Sequence, residues 1–426
     1  MIRTGLWLML WLAQPVWGQS STAEDDWDDD WGDDWGEASP VSHSGFLEWA
    51  QAHRISTDDI FSDQRVLSEG RWHHAFDYEH EDFDFNWSHD VYLDDVLGGL
   101  QLDLRELNFQ FSLFGQTDVV LGRQITTWGT GDLLFINDQF PKDWQSFFAG
   151  RDDNYLKAPA DAIRITSYFE ALNIDWVLTP TAEPDRFING ERFSLFFPLA
   201  GSQVGGREVI NPVNPRQPEY AVRLFKNIQG HQLALYGYHG IEKSPNGINA
   251  AGEPFFPRKN VWGASWQSTV GAGLVNLELG RHVALDDSTG NQPLIANGQW
   301  RLLLGYEREL VKNLNWGMQY YLEKTTDYQQ LMDHSLAPEF EPAENRHVMT
   351  SRFTYRAMQE KLTWSLFVFY SPTDDDSYWR PSVNYRHNDQ WQMTLGGSVF
   401  TGQQANTFFG QFEDASQAYV RLRFQY

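Results

Sequence analysis

Residue types that could perform covalent chemistry are few in this chain. Asp333, His334 and Ser335 supply the three residue types of a hydrolytic triad, but adjacent residues on one loop rarely converge as a triad requires. The histidines at 73, 74 and 80 lack the helical spacing of a zinc hydrolase motif, and the chain has no Gly-x-Ser-x-Gly, no phosphate-binding loop and no cysteine. We therefore predict no catalytic residue, no metal, no cofactor and no enzymatic activity. A hydrolase using His334 and Ser335 is a third hypothesis, behind the two below.

Charged side chains recur instead on segments where polar and apolar residues alternate. If these segments are strands of a barrel, their polar face lines the lumen. Two interpretations stay open: rings of arginine select anions in pores, or arginines and carboxylates pair across the lumen and brace it. The predicted lumen residues are Arg164, Arg223, Arg301, Arg352, Arg356, Arg380, Arg386, Arg421 and Arg423, together with Glu106, Asp175, Glu278, Glu307 and Glu323.

The alternation itself predicts an all-β protein. Residues 314–323 place Leu314, Trp316, Met318, Tyr320 and Leu322 on one face and mostly polar residues on the other. Segments of this kind recur along the chain, separated by turn residues. We predict eighteen strands, with sixteen as the alternative, near 45–56, 68–80, 83–94, 102–113, 118–128, 161–169, 172–181, 219–228, 231–240, 260–269, 274–284, 299–310, 314–325, 347–358, 361–370, 377–386, 390–401 and 417–426.

The connections between these strands alternate between short turns and long loops, except at residues 95–101, where a short loop stands in place of an expected long one. Short periplasmic turns with long extracellular loops are typical of an outer-membrane barrel. Beyond the first residues, no window approaches the ~20 apolar residues of a membrane helix, so a spanning structure must be a closed barrel. The fold class predicted is therefore a transmembrane antiparallel up-and-down β-barrel formed by residues 45–426.

The N-terminal residues indicate export. Arg3 precedes an apolar stretch, and Val16 and Gly18 suit a signal peptidase, so residues 1–18 are predicted to be a signal peptide. Residues 19–44 form an acidic tail, predicted to be disordered and periplasmic, with Trp27, Trp31 and Trp35 spaced by four among carboxylates. These tryptophans either dock on a periplasmic or inner-membrane partner, or the tail only aids solubility.

Overall composition excludes one class of partner. The formal net charge is −26, whereas nucleic acid requires a basic surface. The chain also contains 19 Trp, 17 Tyr and 29 Phe, which fits the aromatic rings at the two edges of a membrane barrel. The predicted location is the outer membrane of a Gram-negative bacterium, in contact with its lipid.

The chain ends in an alternating segment, and here a resemblance enters. Val420, Leu422, Phe424 and Tyr426 share one face, and the last residue is aromatic. This ending resembles the C-terminal strand of Gram-negative outer-membrane β-barrels of the porin-like superfamily. The resemblance implies that Phe424 and Tyr426 form a signal read by the barrel assembly machinery.

A second, local resemblance lies at residues 120–129. Gly122-Arg123-Gln124 followed by Trp128-Gly129 is similar to a motif in an uncharacterised family of large outer-membrane proteins, and Gly122-Arg123-Gln124 is also similar to alginate-export porins. Arg123 alternates with apolar neighbours, and we expect a bulge to turn it into the lumen as a further constriction residue. The apolar segment after it is predicted to fold inward with a helical turn from Pro141 and to narrow the pore, rather than to pack as an outer loop.

Two functions follow from this organisation. The first is a channel for passive passage of small hydrophilic, and in one version anionic, solutes. The second is a plugged barrel that serves an export system and docks a partner through the acidic tail.

Deleting residues 24–37 separates the two functions. A simple channel keeps its solute uptake without the tail, because the tail takes no part in diffusion. A docking protein loses its partner, which co-purification from cross-linked cells measures. Unchanged uptake together with unchanged co-purification would remove the tail from both functions.

Overall fold

The structure is a computed structural model and describes residues 39–206 and 208–426. The predicted signal peptide and the three tail tryptophans Trp27, Trp31 and Trp35 lie outside the described residues. The first strand begins at Val41, four residues before the predicted start of the barrel at Gly45. Residues 41–44 therefore belong to a strand, because they pair with residues 75–78 of the next one.

Eighteen strands form one antiparallel sheet, and four short strands form two hairpins in the loops. The hairpins are β8 (Leu195–Phe197) with β9 (Ser202–Val204), and β12 (Gly247–Ile248) with β13 (Pro254–Phe255). The sheet contains β1 (Val41–Arg54), β2 (Arg65–Glu79), β3 (Asp84–Asp94), β4 (Leu100–Leu113), β5 (Thr117–Gln124), β6 (Ala160–Tyr168), β7 (Asn173–Thr179), β10 (Glu219–Ile228), β11 (His231–Ile241), β14 (Arg258–Val270), β15 (Gly273–Ala284), β16 (Gln299–Val311), β17 (Leu314–Thr325), β18 (Asn345–Ala357), β19 (Leu362–Ser371), β20 (Asp376–Arg386), β21 (Trp391–Gly402) and β22 (Gln417–Gln425).

The sheet closes on itself. Each strand pairs with the next one in the sheet, and β1 pairs with β22 over nine residue pairs, from Phe46 with Gln425 to Arg54 with Gln417. Closure leaves no strand edge, which is the condition for a sheet to lie in lipid. The predicted barrel of eighteen strands is confirmed, and the alternative of sixteen is wrong.

The predicted strand boundaries agree with the observed ones within three residues except at the start of the first strand and the end of the fifth. The prediction extends the fifth strand to Trp128, but β5 ends at Gln124. Residues 125–128 leave the sheet because the Trp128 indole packs inside the barrel against Phe140, with ring centroids 5.0 Å apart. Trp128 therefore extends the alternation of apolar and polar residues in the sequence although it lies outside the strand.

Short turns lie at one end of the barrel and the longest loops at the other. Gln229 and Gly230 form a two-residue turn with φ of 52° and 88°, the left-handed pair that a tight antiparallel hairpin requires. The long loops span residues 180–218, 242–257, 285–298, 326–344 and 403–416. We call their end extracellular, following the arrangement typical of outer-membrane barrels.

Side chains of the barrel alternate between an apolar outer face and a polar lumen. Leu235 and Trp262 are 58% and 62% exposed on the outside, whereas the neighbouring inward residues are largely buried.

Two short helices, α1 (Trp144–Phe148) and α2 (Tyr328–His334), lie in connections between strands. Within residues 39–206 and 208–426, no helix is both long and apolar enough to cross a membrane.

Substitution by arginine tests which face meets lipid. Leu235 lies near the middle of β11 and points outward, so Leu235→Arg is expected to cost about 2–4 kcal/mol of folding free energy in a bilayer. Gln232→Arg, on the same strand and facing the lumen from an exposed polar position, is the control and is expected to cost much less. Denaturant titration in lipid vesicles measures both. Equal costs would contradict the assignment of faces.

Candidate functional site

The connection between β5 and β6, residues 125–159, folds into the barrel. We call it the inward loop. Its residues Ile136, Phe147, Phe148 and Leu156 are almost fully buried in one apolar cluster with inward-facing residues of the barrel wall. The inward fold predicted from the sequence is therefore confirmed. The predicted helical turn begins at Trp144 rather than at Pro141.

Asp143 starts this short helix. Its carboxylate accepts hydrogen bonds from the backbone N–H of Ser146 at 2.7 Å and from the Ser146 hydroxyl at 2.7 Å. An aspartate in this position satisfies a backbone donor that the helix leaves unpaired. The helix can then present Phe147 and Phe148 to the opposite wall, where they contact Tyr378.

Two glycines of the wall admit side chains of the inward loop. A Cβ at Gly263 would lie 1.7 Å from Oδ1 of Asn137, and one at Gly280 would lie 2.5 Å from Cγ2 of Ile136. Both distances are shorter than any real contact, so no larger residue fits unless the loop moves. The absence of side chains at these two positions therefore forms the groove in which the loop lies.

The base of the inward loop is held by a buried carboxylate. Glu278 on β15 is 1% exposed and accepts hydrogen bonds from the backbone and hydroxyl of Thr130, from the Gly131 N–H at 2.9 Å and from Asn137 Nδ2 at 2.8 Å. Its position on the lumen face was predicted from the sequence. Its contacts show that it positions the loop, since all its partners belong to residues 130–137.

Asp175 gathers the predicted arginines of the adjacent wall. Arg164 donates to its two oxygens at 2.9 and 2.8 Å, and Arg223 donates at 3.3 Å. The Trp128 indole N–H donates to the same carboxylate at 3.1 Å. These three predicted lumen residues therefore meet at one ion-pair site beneath the start of the inward loop.

On the far wall, predicted arginines bind aspartates of the inward loop. Arg352 contacts Asp132 at 2.6 and 2.9 Å, and Arg380 contacts Asp153 at 2.6 Å. Arg421 and Arg423 both reach Asp152 at 3.3 Å, and Arg423 also pairs with Glu48 at 2.7 Å. For these four arginines the bracing interpretation describes the geometry, because their charges fasten the loop to the wall.

The other predicted lumen residues are scattered. Arg301 lies 3.4 Å from Glu323, and Glu106 accepts a hydrogen bond from Ser88 at 3.2 Å. Within the described part of the chain, Arg356, Arg386 and Glu307 have no partner in an ion pair.

One predicted lumen residue faces the other way. Arg123 was expected to turn inward through a bulge, and this is wrong. The pairing of β5 is regular on both sides, so Arg123 lies opposite the outward-facing Leu107 and Asp161. Its guanidinium contacts Asp161 at 3.0 Å and Glu183 at 3.7 Å outside the lumen.

The sequence reasoning missed a buried network near the extracellular end. Arg71 pairs with Glu69 at 3.0 Å and with Asp90 at 2.8 Å, and Glu69 also binds Arg151 of the inward loop at 2.7 Å. The long loop 180–218 joins through Arg192, which pairs with Asp94. The sequence did contain a signal for this network. Glu69 and Arg71 are oppositely charged and two residues apart on a predicted strand, so they lie on the same face.

Two loop carboxylates show how burial and charge compete. Burial raises the pKa of Asp185, and the nearby Lys142 ammonium opposes that shift only in part. Burial also acts to raise the pKa of Asp153, but Arg380, Arg352 and Arg421 together outweigh it, so the pKa of Asp153 lies below its usual value. Asp153 is therefore held charged, as its role as an anchor requires.

The inward loop separates two chambers. The extracellular chamber has a volume of about 720 Å³ and the periplasmic chamber about 760 Å³. Among the described residues, Phe135 is the one side chain that lines both.

The backbone that carries Phe135 is strained. Two positions before it, Leu133 has a φ of 61°, a left-handed conformation that costs a leucine about 1–2 kcal/mol. The loop therefore holds the Phe135 ring between the chambers on a strained backbone.

The candidate catalytic residues do not converge. The Asp333 carboxylate accepts a hydrogen bond from Gln329, the His334 ring contacts the Gln330 carbonyl, and the Ser335 hydroxyl donates to Glu341. The three side chains therefore form no triad. Over residues 39–206 and 208–426, no three histidines or carboxylates come together as a metal site.

Solved structures resemble this barrel, although no sequence family and no curated protein matches the chain. OccAB3 of Acinetobacter baumannii superposes with a TM-score of 0.56 at 9% identity, covering 91% of this chain and 99% of that one. OccK2 of Pseudomonas aeruginosa, solved in complex with glucuronate, gives 0.55 at 11% identity, covering 91% and 97%. OccD3 of P. aeruginosa gives 0.53 at 11%, covering 90% and 91%. The chain therefore has the barrel fold of the Occ porins, and the predicted porin-like outer-membrane barrel is confirmed.

Adding one methyl group tests the seat of the inward loop. Gly263→Ala places a carbon against Asn137 and is expected to cost about 1–3 kcal/mol and to displace the loop. Lys142 is 3% exposed in the seated loop, so its displacement exposes a new trypsin site. Gly317→Ala is the matched control, since its nearest neighbour is 3.9 Å away. Equal protection of Lys142 in both variants would contradict the proposed seat.

Proposed function

We propose that the protein is an outer-membrane channel through which small hydrophilic solutes diffuse passively. The observation that carries this proposal is the pair of chambers inside a closed barrel, which meet at Phe135. A barrel of eighteen strands is wide enough for an aqueous passage, and here a structured loop narrows it. The similarity to Occ porins supports this function through the fold.

The charges of the periplasmic chamber favour small anions among these solutes. Lys157, Arg223 and Lys226 line it together with Asp132 and Asp153. Arg223 is paired with Asp175, and each of the two lining aspartates is tied to an arginine of the opposite wall. The aspartates are therefore neutralised, whereas the Lys226 ammonium contacts only backbone carbonyls. Basic groups in a pore attract anions. The glucuronate in the OccK2 structure supports an anionic solute for a channel of this fold.

Two further arginines extend this basic surface towards the periplasm. Arg356 and Arg386 lie near the ends of β18 and β20 and, among the described residues, form no ion pair. Their guanidinium groups are available to a solute, unlike those of the arginines that fasten the inward loop. An anion leaving the periplasmic chamber would therefore meet free positive charge.

We also propose that the N-terminal tail is periplasmic and that the last strand carries a signal for barrel assembly. β1 starts at the end of the barrel that carries the short turns, which supports a periplasmic tail. Tyr426 lies directly after the last strand, where its hydroxyl accepts a hydrogen bond from the Trp72 indole at 2.6 Å. The terminal aromatic residue thus secures the closing strand, in keeping with a role in assembly.

Removing the Phe135 side chain tests the passage between the chambers. Phe135→Ala is expected to raise the single-channel conductance in planar bilayers, because the ring is the barrier shared by the two chambers. Phe114→Ala is the matched control, since Phe114 is 97% exposed in a turn at the periplasmic end.

The same planar-bilayer recordings test the proposal that the channel prefers anions. Under a potassium chloride gradient, the reversal potential is expected to indicate anion preference, and Arg356→Gln with Arg386→Gln is expected to reduce it. Absence of any ion current from the wild-type protein and from Phe135→Ala would overturn the channel. Cation preference would overturn only the anionic version.

A further inference from the structure

The extracellular chamber is lined by aromatic rings from several separate loops. Phe135 and Trp144 come from the inward loop, Phe187 and Phe196 from the loop 180–218, and Phe408 from the loop 403–416. The Phe196 ring is half-buried, and the Phe408 ring is 45% exposed, so both present a surface to the chamber. Rings that meet a water-filled space from different directions can enclose a planar guest by stacking and edge contacts.

Every cation at the floor and side of this chamber already has an anionic partner. Lys142 pairs with Asp138 at 3.0 Å, and Lys259 pairs with Glu242 at 3.1 Å. The Lys142–Asp138 pair is buried and Lys259 is 4% exposed, and burial makes it costly to remove one partner from the other. Two further cations of the chamber are neutralised in the same way, Lys243 by Glu219 and Arg301 by Glu323.

This charge balance sets the extracellular chamber apart from the periplasmic one. Two further carboxylates of the chamber, Asp185 and Glu341, form no ion pair among the described residues and accept hydrogen bonds from the Lys142 backbone N–H and the Ser335 hydroxyl. A ring-lined space whose cations are all paired offers an anion little attraction, whereas an uncharged aromatic molecule loses little by leaving water and gains contacts with the rings. The chamber volume of about 720 Å³ lies within the range of small-molecule sites, typically 300–1,000 Å³. One or two fused rings therefore fit.

One hydrogen-bond donor remains free at the floor. Arg301 uses Nε and Nη2 for Gln299 at 2.9 and 2.5 Å, and Nε also lies 3.4 Å from Glu323. Nη1 makes no hydrogen bond within the described part of the chain, and the side chain is 22% exposed. A hydroxyl or carbonyl oxygen on an aromatic ring could accept from it without the ring carrying a charge.

From these contacts we propose that the extracellular chamber is a binding site for uncharged aromatic molecules of one or two rings bearing an oxygen substituent. The proposal rests on the proposed channel, since the chamber is its entrance and the ligand class names one kind of solute that enters it. Binding to the rings holds such a solute at the entrance before it passes Phe135.

Equilibrium dialysis of the purified full-length protein in detergent tests the proposal with 2-naphthol as the probe, and with empty micelles as background. Phe196→Ala and Phe408→Ala are each expected to weaken 2-naphthol binding by about 2–10-fold, the loss of one aromatic contact. Phe114→Ala, at the far end of the barrel, is the matched control and is expected to bind like the wild type. Heat-modifiable mobility on gels confirms that each variant is folded.

Two analogues of the probe separate aromatic recognition from other causes. Decahydro-2-naphthol has the same skeleton and hydroxyl without the aromatic rings, and is expected to bind several-fold more weakly. The carboxylate 2-naphthoate is expected to bind no more tightly than 2-naphthol, because the cations of the chamber are already paired. Equal binding of the saturated analogue, or binding of 2-naphthoate more than tenfold tighter, would overturn the proposal.

The outcome is distinguishable from failure of the channel itself. If the wild type conducts ions but binds 2-naphthol no better than empty micelles, the channel stands and the aromatic site is wrong. If 2-naphthol binds in a manner that depends on Phe196 and Phe408 but no current is seen, the site stands as a binding site and the channel is wrong. Equal binding by all three phenylalanine variants and the wild type also overturns the site.

Discussion

The hydrogen-bond ladder between the first and last strands is the constraint on which the rest of the structure depends. A backbone N–H or C=O without a partner in hydrocarbon costs several kcal/mol, so a sheet in lipid must have no free edge. The nine residue pairs between β1 and β22 meet this condition. Closure also fixes which side chains share the lumen, because the alternation of every strand is then set relative to one interior.

Inside that closed wall, the inward loop is held both by apolar packing and by polar contacts. Its apolar residues fill the centre, but Asp132, Asp152 and Asp153 bind arginines of the far wall, and Glu278 binds its base. The Asp132 and Asp153 side chains are 45% and 48% exposed, and ion pairs open to solvent contribute little net stability. Such pairs are better suited to fix one position of the loop, which a passage of defined width requires.

The barrel could be predicted almost completely from the sequence, and the site only in part. Period-two alternation is a local signal, so eighteen strands and their lumen faces, including Asp175 and Glu278, could be identified without tertiary information. The partners of those residues could not, since Asp132 and Arg352 are 220 positions apart and meet only through the path of the loop. The prediction that Arg123 faces the lumen was wrong because a strand near the rim can carry a charged side chain on its outer face. There a neighbour such as Asp161 neutralises the charge.

The ion pairs between the inward loop and β22 have a consequence for the order of assembly. Asp152 is fastened by Arg421 and Arg423, which belong to the last strand of the chain, whereas the loop itself is encoded in its first half. These contacts cannot form until the final strand has inserted beside β1. The interior therefore reaches its finished arrangement only in the step that seals the wall, because the contacts of Asp152 with β22 are the last of the loop's ion pairs to form.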